Sequence, residues 1–210
     1  MTDLPELPIQ AFAKADPAPD ALFYEAPRLV THIDAGATAA VTRLYRELLP
    51  PGGTVLDLMG SWVSHLPDDV SYAEVIGHGM NAQELAANPR YTRWFVQDLN
   101  KSQHLPLDDA GVDAVAICVS IQYLQHPVAL LREVHRVLRP GGVVVISFSN
   151  RCFPTKAVAI WQALDGPDQC RLVGLYLMHA GFERVEARQE ADGRHGDPLW
   201  AVVGWAPKPD

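Results

Sequence analysis

Four short stretches place polar residues directly after apolar runs. An apolar run from Val55 reaches Asp57, and "VIGHGMN" (residues 75–81) carries Gly77 and Gly79. "FVQDLN" (residues 95–100) sets Asp98 before the apolar Leu99, and "SIQYL" (residues 120–124) supplies Ser120, Gln122 and Tyr123. A carboxylate such as Asp57 can accept hydrogen bonds from a cationic amine or from the amides of its own turn. A carboxylate beside an apolar side chain, as at Asp98-Leu99, suits a heteroaromatic amine, which needs one polar contact and one apolar wall. The two glycines let a ligand or another chain segment come close to the backbone. Each stretch alone has a plain structural reading: Asp57 organises its turn, and Ser61 caps a following helix.

These residues act together only if their strands lie side by side. Val55–Leu58, Ala73–Gly77, Trp94–Val96, Val112–Ser120 and Val143–Ser149 read as strands. Helical patterns fall between them: Thr31–Leu49, a segment after Ser61, Ala82–Ala87, "HPVALLREVHRVL", Lys156–Leu164 and Gln169–Ala180. Arg139-Pro140-Gly141-Gly142 reads as a helix stop, and Phe182–Glu190 with Leu199–Ala206 as a closing hairpin. This alternation predicts an α/β fold: a mostly parallel seven-stranded sheet with an antiparallel C-terminal hairpin strand and helices on both faces. Ligands of such sheets bind beyond the carboxyl ends of the strands, where the four stretches fall. Residues 1–50 are expected to form an N-terminal arm and helix covering the pocket, and residues 51–210 a single compact unit. Five prolines within residues 1–27 suggest an extended or loosely folded arm.

Composition narrows the partners. The net charge is −8, from 17 basic and 25 acidic residues, with no Lys/Arg run, which argues against nucleic acid and anionic lipid as partners. No stretch approaches the ~20 apolar residues of a membrane span. The opening "MTDLPELPIQ" is unlike a secretory signal, and three scattered cysteines suit a reducing compartment, so a cytoplasmic location is expected. No Cys/His pair has zinc-ligand spacing, so no metal is expected. A small-molecule substrate is the expected partner, with monomer and homodimer both open.

Taken together, the motifs resemble those of the class I S-adenosylmethionine-dependent methyltransferases. "VLDL" is similar to their first motif, and "FVQDLNKSQHLPLDDAGVDAVAICVS" to their adenine-binding segment and fourth strand. "LREVHRVLRPGGVVVIS" resembles a signature of the small-molecule branch, and "LMHAGFERVEA" with "LWAVVGWAP" resembles the closing helix and hairpin. The resemblance runs from Thr54 to Ala206 and implies a Rossmann-like sheet, with S-adenosyl-L-methionine as cofactor and S-adenosyl-L-homocysteine as product. It implies that Asp57, Met59, Gly60 and Ser61 face the methionine end. Gly79, Met80 and Asn81 would face the ribose, Asp98 the adenine amine with Leu99 beside the ring, and Ser120 the sulfonium. Two departures stand out. The usual glycine-rich turn is here Met59-Gly60-Ser61-Trp62-Val63, and Gly79 stands where an acidic residue ordinarily holds the ribose.

The acceptor side is less marked. In the resemblance the N-terminal segment covers the pocket, making Tyr24 and His32 the catalytic candidates, although His32 equally suits a simple helix start. Gln122, Tyr123, Asn150 and Arg151 are the substrate-binding candidates; Arg151 would bind an anionic substrate group or brace its loop against an acidic neighbour. His65 reads as a surface or packing residue, and Cys118 as an inert buried thiol. The leading expectation is transfer of a methyl group to an O, N or S atom of a small molecule by in-line displacement. The alternative is a non-catalytic cofactor-binding or scaffold relative. A nicotinamide-dependent dehydrogenase is disfavoured, because the G-x-G-x-x-G turn is missing.

Overall fold

The computed structural model describes residues 4–208. Seven strands form one sheet: β1 (Thr54–Asp57), β2 (Glu74–Gly79), β3 (Arg93–Val96), β4 (Val112–Cys118), β5 (Leu138–Phe148), β6 (Arg184–Ala191) and β7 (Leu199–Trp205). Their order is β3-β2-β1-β4-β5-β7-β6. The first five are parallel, while β7 runs antiparallel to both β5 and β6. The helices are α1 (Asp20–Phe23), α2 (Ala35–Leu48), α3 (Ala82–Ala87), α4 (Pro127–Val137), α5 (Ala159–Gln162) and α6 (Gly166–His179). No described helix is long and apolar enough to cross a membrane.

The central strands are apolar at most of their inner positions because both faces are covered. Side chains alternate between faces with a period of two. Thus Val55, Val75, Ala114, Ala116, Val143 and Val145 meet Ala37, Ala40, Val41 and Leu44 of α2 on one side. Leu56, Ile76, Val115, Ile117, Val144 and Ile146 meet Leu131 and Val134 of α4 and Val173 and Leu177 of α6 on the other. Small alanines on β4 face the Ala-rich helix, whereas branched residues face the leucine-rich pair. Asp34 starts α2 by accepting from the Ala37 N–H at 2.8 Å, and Asp165 starts α6 in the same way through Asp168 N–H at 3.1 Å.

Several sequence-based expectations shift. No helix follows Ser61; residues 58–73 run as turns and irregular chain to β2. α4 does stop at Val137, just before Arg139-Pro140-Gly141-Gly142, but that segment is already the irregular start of β5, where the register with β4 slips between Val112↔Leu138 and Ala114↔Val143. The helix expected over Lys156–Leu164 is confined to α5. α2 is one of the layers covering the sheet; residues of the arm before it line the cavity at the strand ends, whereas none of α2 does.

The N-terminal arm is firmly docked, contrary to the expectation from its prolines. Lys14 bridges to Val158, and Asp16 N–H donates to the Thr155 carbonyl at 2.9 Å. Lys156, 1% exposed, puts its ammonium 2.9 Å from Asp16 and 3.5 Å from Asp20, while Lys14 lies 2.5 Å from Asp20. A buried cation is tolerated because carboxylates and the Ala18 carbonyl surround it.

Candidate functional site

At the carboxyl ends of β1, β2 and β4 lies a cavity of about 350 Å³, roofed by the arm and walled by the loop after β5. It sits where strand order reverses between β1 and β4, the position that parallel sheets leave open.

The first wall is the turn after β1. Asp57 is 3% exposed, and its carboxylate accepts a hydrogen bond from the Tyr91 hydroxyl at 2.8 Å. Burial pushes this carboxyl up to about 7, against the opposing pull of hydrogen bonds from Tyr91 and Ser64. Met59 then takes φ +61°, a left-handed conformation that costs a side-chain-bearing residue about 1–2 kcal/mol. The turn is held open by His78 of β2. Met59 N–H donates to His78 Nδ1 at 3.0 Å, and Gly60 N–H donates to the His78 carbonyl at 2.7 Å. Nε2 of the same ring lies 3.0 Å from the Gln97 carbonyl, so the neutral tautomer protonated at Nε2 satisfies both contacts. Burial depresses this imidazole to about 4, which keeps it neutral.

Gly79 ends β2 against this turn. A Cβ there would lie 2.6 Å from the Gly60 carbonyl oxygen, so the turn occupies the space an acidic side chain would need. Ser61 donates to Glu84 of α3 at 2.6 Å, and Glu84 also accepts from Arg28 N–H of the arm at 2.7 Å. Glu84 is 8% exposed and lines the cavity. Met80 lines it as well, but Asn81 does not. The Asn81 amide oxygen caps α3 by accepting from Gln83 and Glu84 N–H groups, and its NH₂ donates to the Tyr24 and Glu25 carbonyls at 3.0 Å. Asn81 therefore latches the arm and is not free to meet a ribose, as the resemblance implied.

Asp98 and Leu99 stand together on the next wall, Leu99 buried and the Asp98 side chain 14% exposed. Asp98 accepts from Asn100 N–H at 3.0 Å and lies 3.7 Å from the Lys101 ammonium. Ser120, after β4, is buried, lines the cavity, and its hydroxyl has no hydrogen-bond partner. An unpaired buried hydroxyl is costly unless something fills the space it faces. The preceding Val119 holds φ +45°, rare for a β-branched residue, which sets Ser120 at the cavity floor.

The side of the cavity nearest the arm and the loop after β5 is lined by Tyr24, His32, His65, Tyr123, Arg151 and Phe153. Burial drives the Tyr24 phenol far above its ordinary range, so it remains a proton donor. Burial pushes His32 down despite the opposing pull of Glu84. His65 is lowered by burial and by His32, and its backbone sits at φ +54°, with its carbonyl held by the Thr42 hydroxyl at 3.0 Å. Arg151 Nε donates to Asp197 at 2.7 Å, so it braces the loop against an acidic neighbour even as it lines the cavity.

Two expected substrate contacts lie elsewhere. Gln122 is buried beneath the floor and donates to the Val119 carbonyl at 2.9 Å; Asn150 is exposed and accepts from the Ser149 hydroxyl at 3.2 Å. Neither lines the cavity. Sequence reasoning passed over His78 and Glu84, and read His65, which lines the cavity, as a surface or packing residue. His78 carried a signal, being a histidine inside an otherwise apolar strand end; Glu84 carried none, since a glutamate in a helix's first turn is ordinary.

The cavity fits an S-adenosyl cofactor in size and lining. Its volume falls within the span usual for small-molecule sites, it presents carboxylates on three walls, and Ser120, whose buried hydroxyl is unpaired, is part of its lining.

Comparison with known proteins agrees with this geometry. The family description "Methyltransferase domain" matches residues 60–146. A ubiquinone/menaquinone biosynthesis C-methyltransferase of a Caulobacter species is 44% identical over 140 residues, covering 54% of this chain and 52% of that protein. A malonyl-[acyl-carrier protein] O-methyltransferase of a Marinomonas species is 33% identical over 67 residues, covering 32% of this chain and 25% of that protein. The chain thus spans about half and a quarter of the lengths of these two relatives. Among solved structures, a SAM-dependent methyltransferase from Aquifex aeolicus superposes with a TM-score of 0.59 at 19% identity, covering 90% of this chain and 98% of that one. Strand order, cavity position and these matches converge: the chain carries the α/β methyltransferase fold and resembles the class I S-adenosylmethionine-dependent methyltransferases, matching their domain description over residues 60–146.

Proposed function

We propose that this protein transfers a methyl group from S-adenosylmethionine to an O, N or S atom of a small molecule by in-line displacement, releasing S-adenosylhomocysteine. The observation that carries this reading is the convergence of Asp57, Asp98 and Ser120, from three different strand ends, on one cavity at the switch point. When bound, the cofactor supplies an activated methyl group and a good leaving group. The protein's part is to bind, orient and exclude water. Asp98 and Leu99 would hold a heteroaromatic amine, Asp57 and its turn the amino-acid end, and Ser120 the sulfonium side. Tyr24 and His32 line the arm side of the cavity, which makes the arm the acceptor side. The two curated relatives are named for carbon and oxygen acceptors, so they do not single out an acceptor atom for this chain.

The test is transfer of labelled methyl from the cofactor to a panel of small hydroxyl, amine and thiol compounds, beside calorimetric binding of S-adenosylhomocysteine. Absence of binding to both cofactor and product refutes the reading. Binding without transfer favours a non-catalytic relative. The observation favouring that second reading is the turn itself, where Met59 replaces the first glycine and no helix follows.

A further inference from the structure

The carboxylates around the cavity are not equivalent. Asp20 is neutralised by Lys14 at 2.5 Å and Lys156 at 3.5 Å. Asp98 has Lys101 at 3.7 Å, and Asp57 is closed in beneath the Tyr91 hydroxyl. Glu84 differs from the first two in having only neutral donors, the Ser61 hydroxyl on Oε2 and the Arg28 N–H on Oε1. No ion pair joins it among the described residues, although it is 8% exposed. Each carboxylate oxygen accepts two hydrogen bonds, so one position on each oxygen is left over. A pair of adjacent hydroxyls, donating one proton to each oxygen, matches that arrangement: neutral, bidentate and charge-assisted.

The neighbourhood leaves this task to Glu84. The end of β2, where a side chain would project beside the turn, is Gly79, and a Cβ there would come within 2.6 Å of the Gly60 carbonyl. The Asn81 amide is consumed in capping α3 and latching the arm. We propose that Glu84, fixed by Ser61 and Arg28, is the carboxylate that binds the ribose diol of the S-adenosyl nucleoside, from the first turn of α3 rather than from the end of β2. This rests on the methyltransferase reading above. It assigns Ser61 a positioning role: the hydroxyl orients Glu84, and its own proton is already committed.

The experiment compares S-adenosylhomocysteine with its 2′,3′-dideoxy analogue by calorimetry, on the wild type, on Glu84→Gln and on Glu84→Asp, with thermal unfolding to check each fold. The wild type is expected to prefer the diol by roughly 10- to 100-fold, the span of hydrogen bonds to a charged group. Glu84→Gln is expected to lose most of that preference by weakening S-adenosylhomocysteine, while the dideoxy compound changes less than about threefold. Glu84→Asp, which keeps the charge but draws it back by one methylene, is expected to fold and to lose the preference as well. Three results overturn the proposal: no diol preference in the wild type, equal weakening of both compounds in a folded variant, or unchanged preference in both variants. A wild type that binds neither compound refutes the methyltransferase reading itself, and this proposal falls with it.

Discussion

The Tyr91 hydroxyl donates to Asp57 at 2.8 Å by passing its ring over Gly77 and its oxygen beneath Gly60. A Cβ on either glycine would collide with the tyrosine, so both glycines are needed for this contact. The contact encloses Asp57 at the head of the sheet with neutral partners only. The strand-end carboxylate thus lines the cavity and at the same time anchors the turn around which the cavity is built.

That enclosure has a pH signature. Burial raises the Asp57 carboxyl to about 7, whereas an unfolded aspartate titrates near ~3.9. Between these values the native protein holds a proton that the unfolded chain has lost, so stability falls as pH rises through that window and levels off above it. Asp57→Asn keeps an acceptor for Tyr91 without the titration. The variant is expected to be more stable than the wild type at pH 8 by up to about 4 kcal/mol, with the gap closing towards pH 4. Urea unfolding at pH 4.5, 6 and 8 measures it. Parallel pH profiles for the two proteins would show that Asp57 ionises normally.

The strain at Met59 is separable from its side chain. At φ +61° glycine is the relaxed residue, and alanine carries the same backbone penalty as methionine. Met59→Gly is therefore expected to be more stable than Met59→Ala by about 1 kcal/mol, the reverse of their order in a helix. Denaturant midpoints of the two variants decide it, and alanine proving the more stable would mean that the turn does not hold this conformation in solution.

The sheet was readable because its signal is local: a run such as Val143–Ile146, apolar at every position, is a strand covered on both faces. Asp57, Asp98 and Ser120 were readable for a related reason, since each follows such a run and topology alone brings strand ends together. What was hidden depends on contacts distant in sequence. Nothing near Asn81 announces that its amide is taken by the arm 57 residues away. The helix expected after Ser61 fails because His78 and Glu84, from the next strand and helix, take hold of Met59 and Ser61. The arm's prolines suggested looseness, whereas Lys156 pins it through Asp16 and Asp20, charge pairs that span 140 and 136 residues and carry no local pattern.

Asp98 is expected to matter for binding without mattering much for folding. Its side chain lines the cavity with Leu99 at its flank, and within the protein it engages its own turn, through Asn100 N–H and the Lys101 ammonium 3.7 Å away. Asp98→Ala is expected to weaken S-adenosylhomocysteine by roughly 10-fold, the loss of one hydrogen bond to a charged acceptor, with stability lowered by less than about 1 kcal/mol. Calorimetry and thermal unfolding report the two effects separately. Unchanged affinity in the folded variant would move the adenine away from this wall.

On the proposed function, His32 and Tyr24 would divide the acceptor chemistry between them by their ionisation. Burial drives the Tyr24 phenol upward, so it can donate a hydrogen bond but not take a proton near neutral pH. Burial holds His32 below its ordinary value, so its imidazole is neutral and has a lone pair to offer. For an acceptor arriving with a hydroxyl or thiol proton, His32→Asn is expected to lower kcat by roughly 10²-fold or more. The defect should shrink as the pH approaches the acceptor's own pKa, because a pre-ionised acceptor needs no base. Tyr24→Phe is expected to lower kcat by a smaller factor that is the same at every pH. Neither change is expected to shift S-adenosylhomocysteine affinity more than about threefold, since both residues lie on the arm side of the cavity. A His32→Asn variant whose defect does not vary with pH, or whose product affinity falls in step with its kcat, would make His32 a wall of the pocket rather than its base.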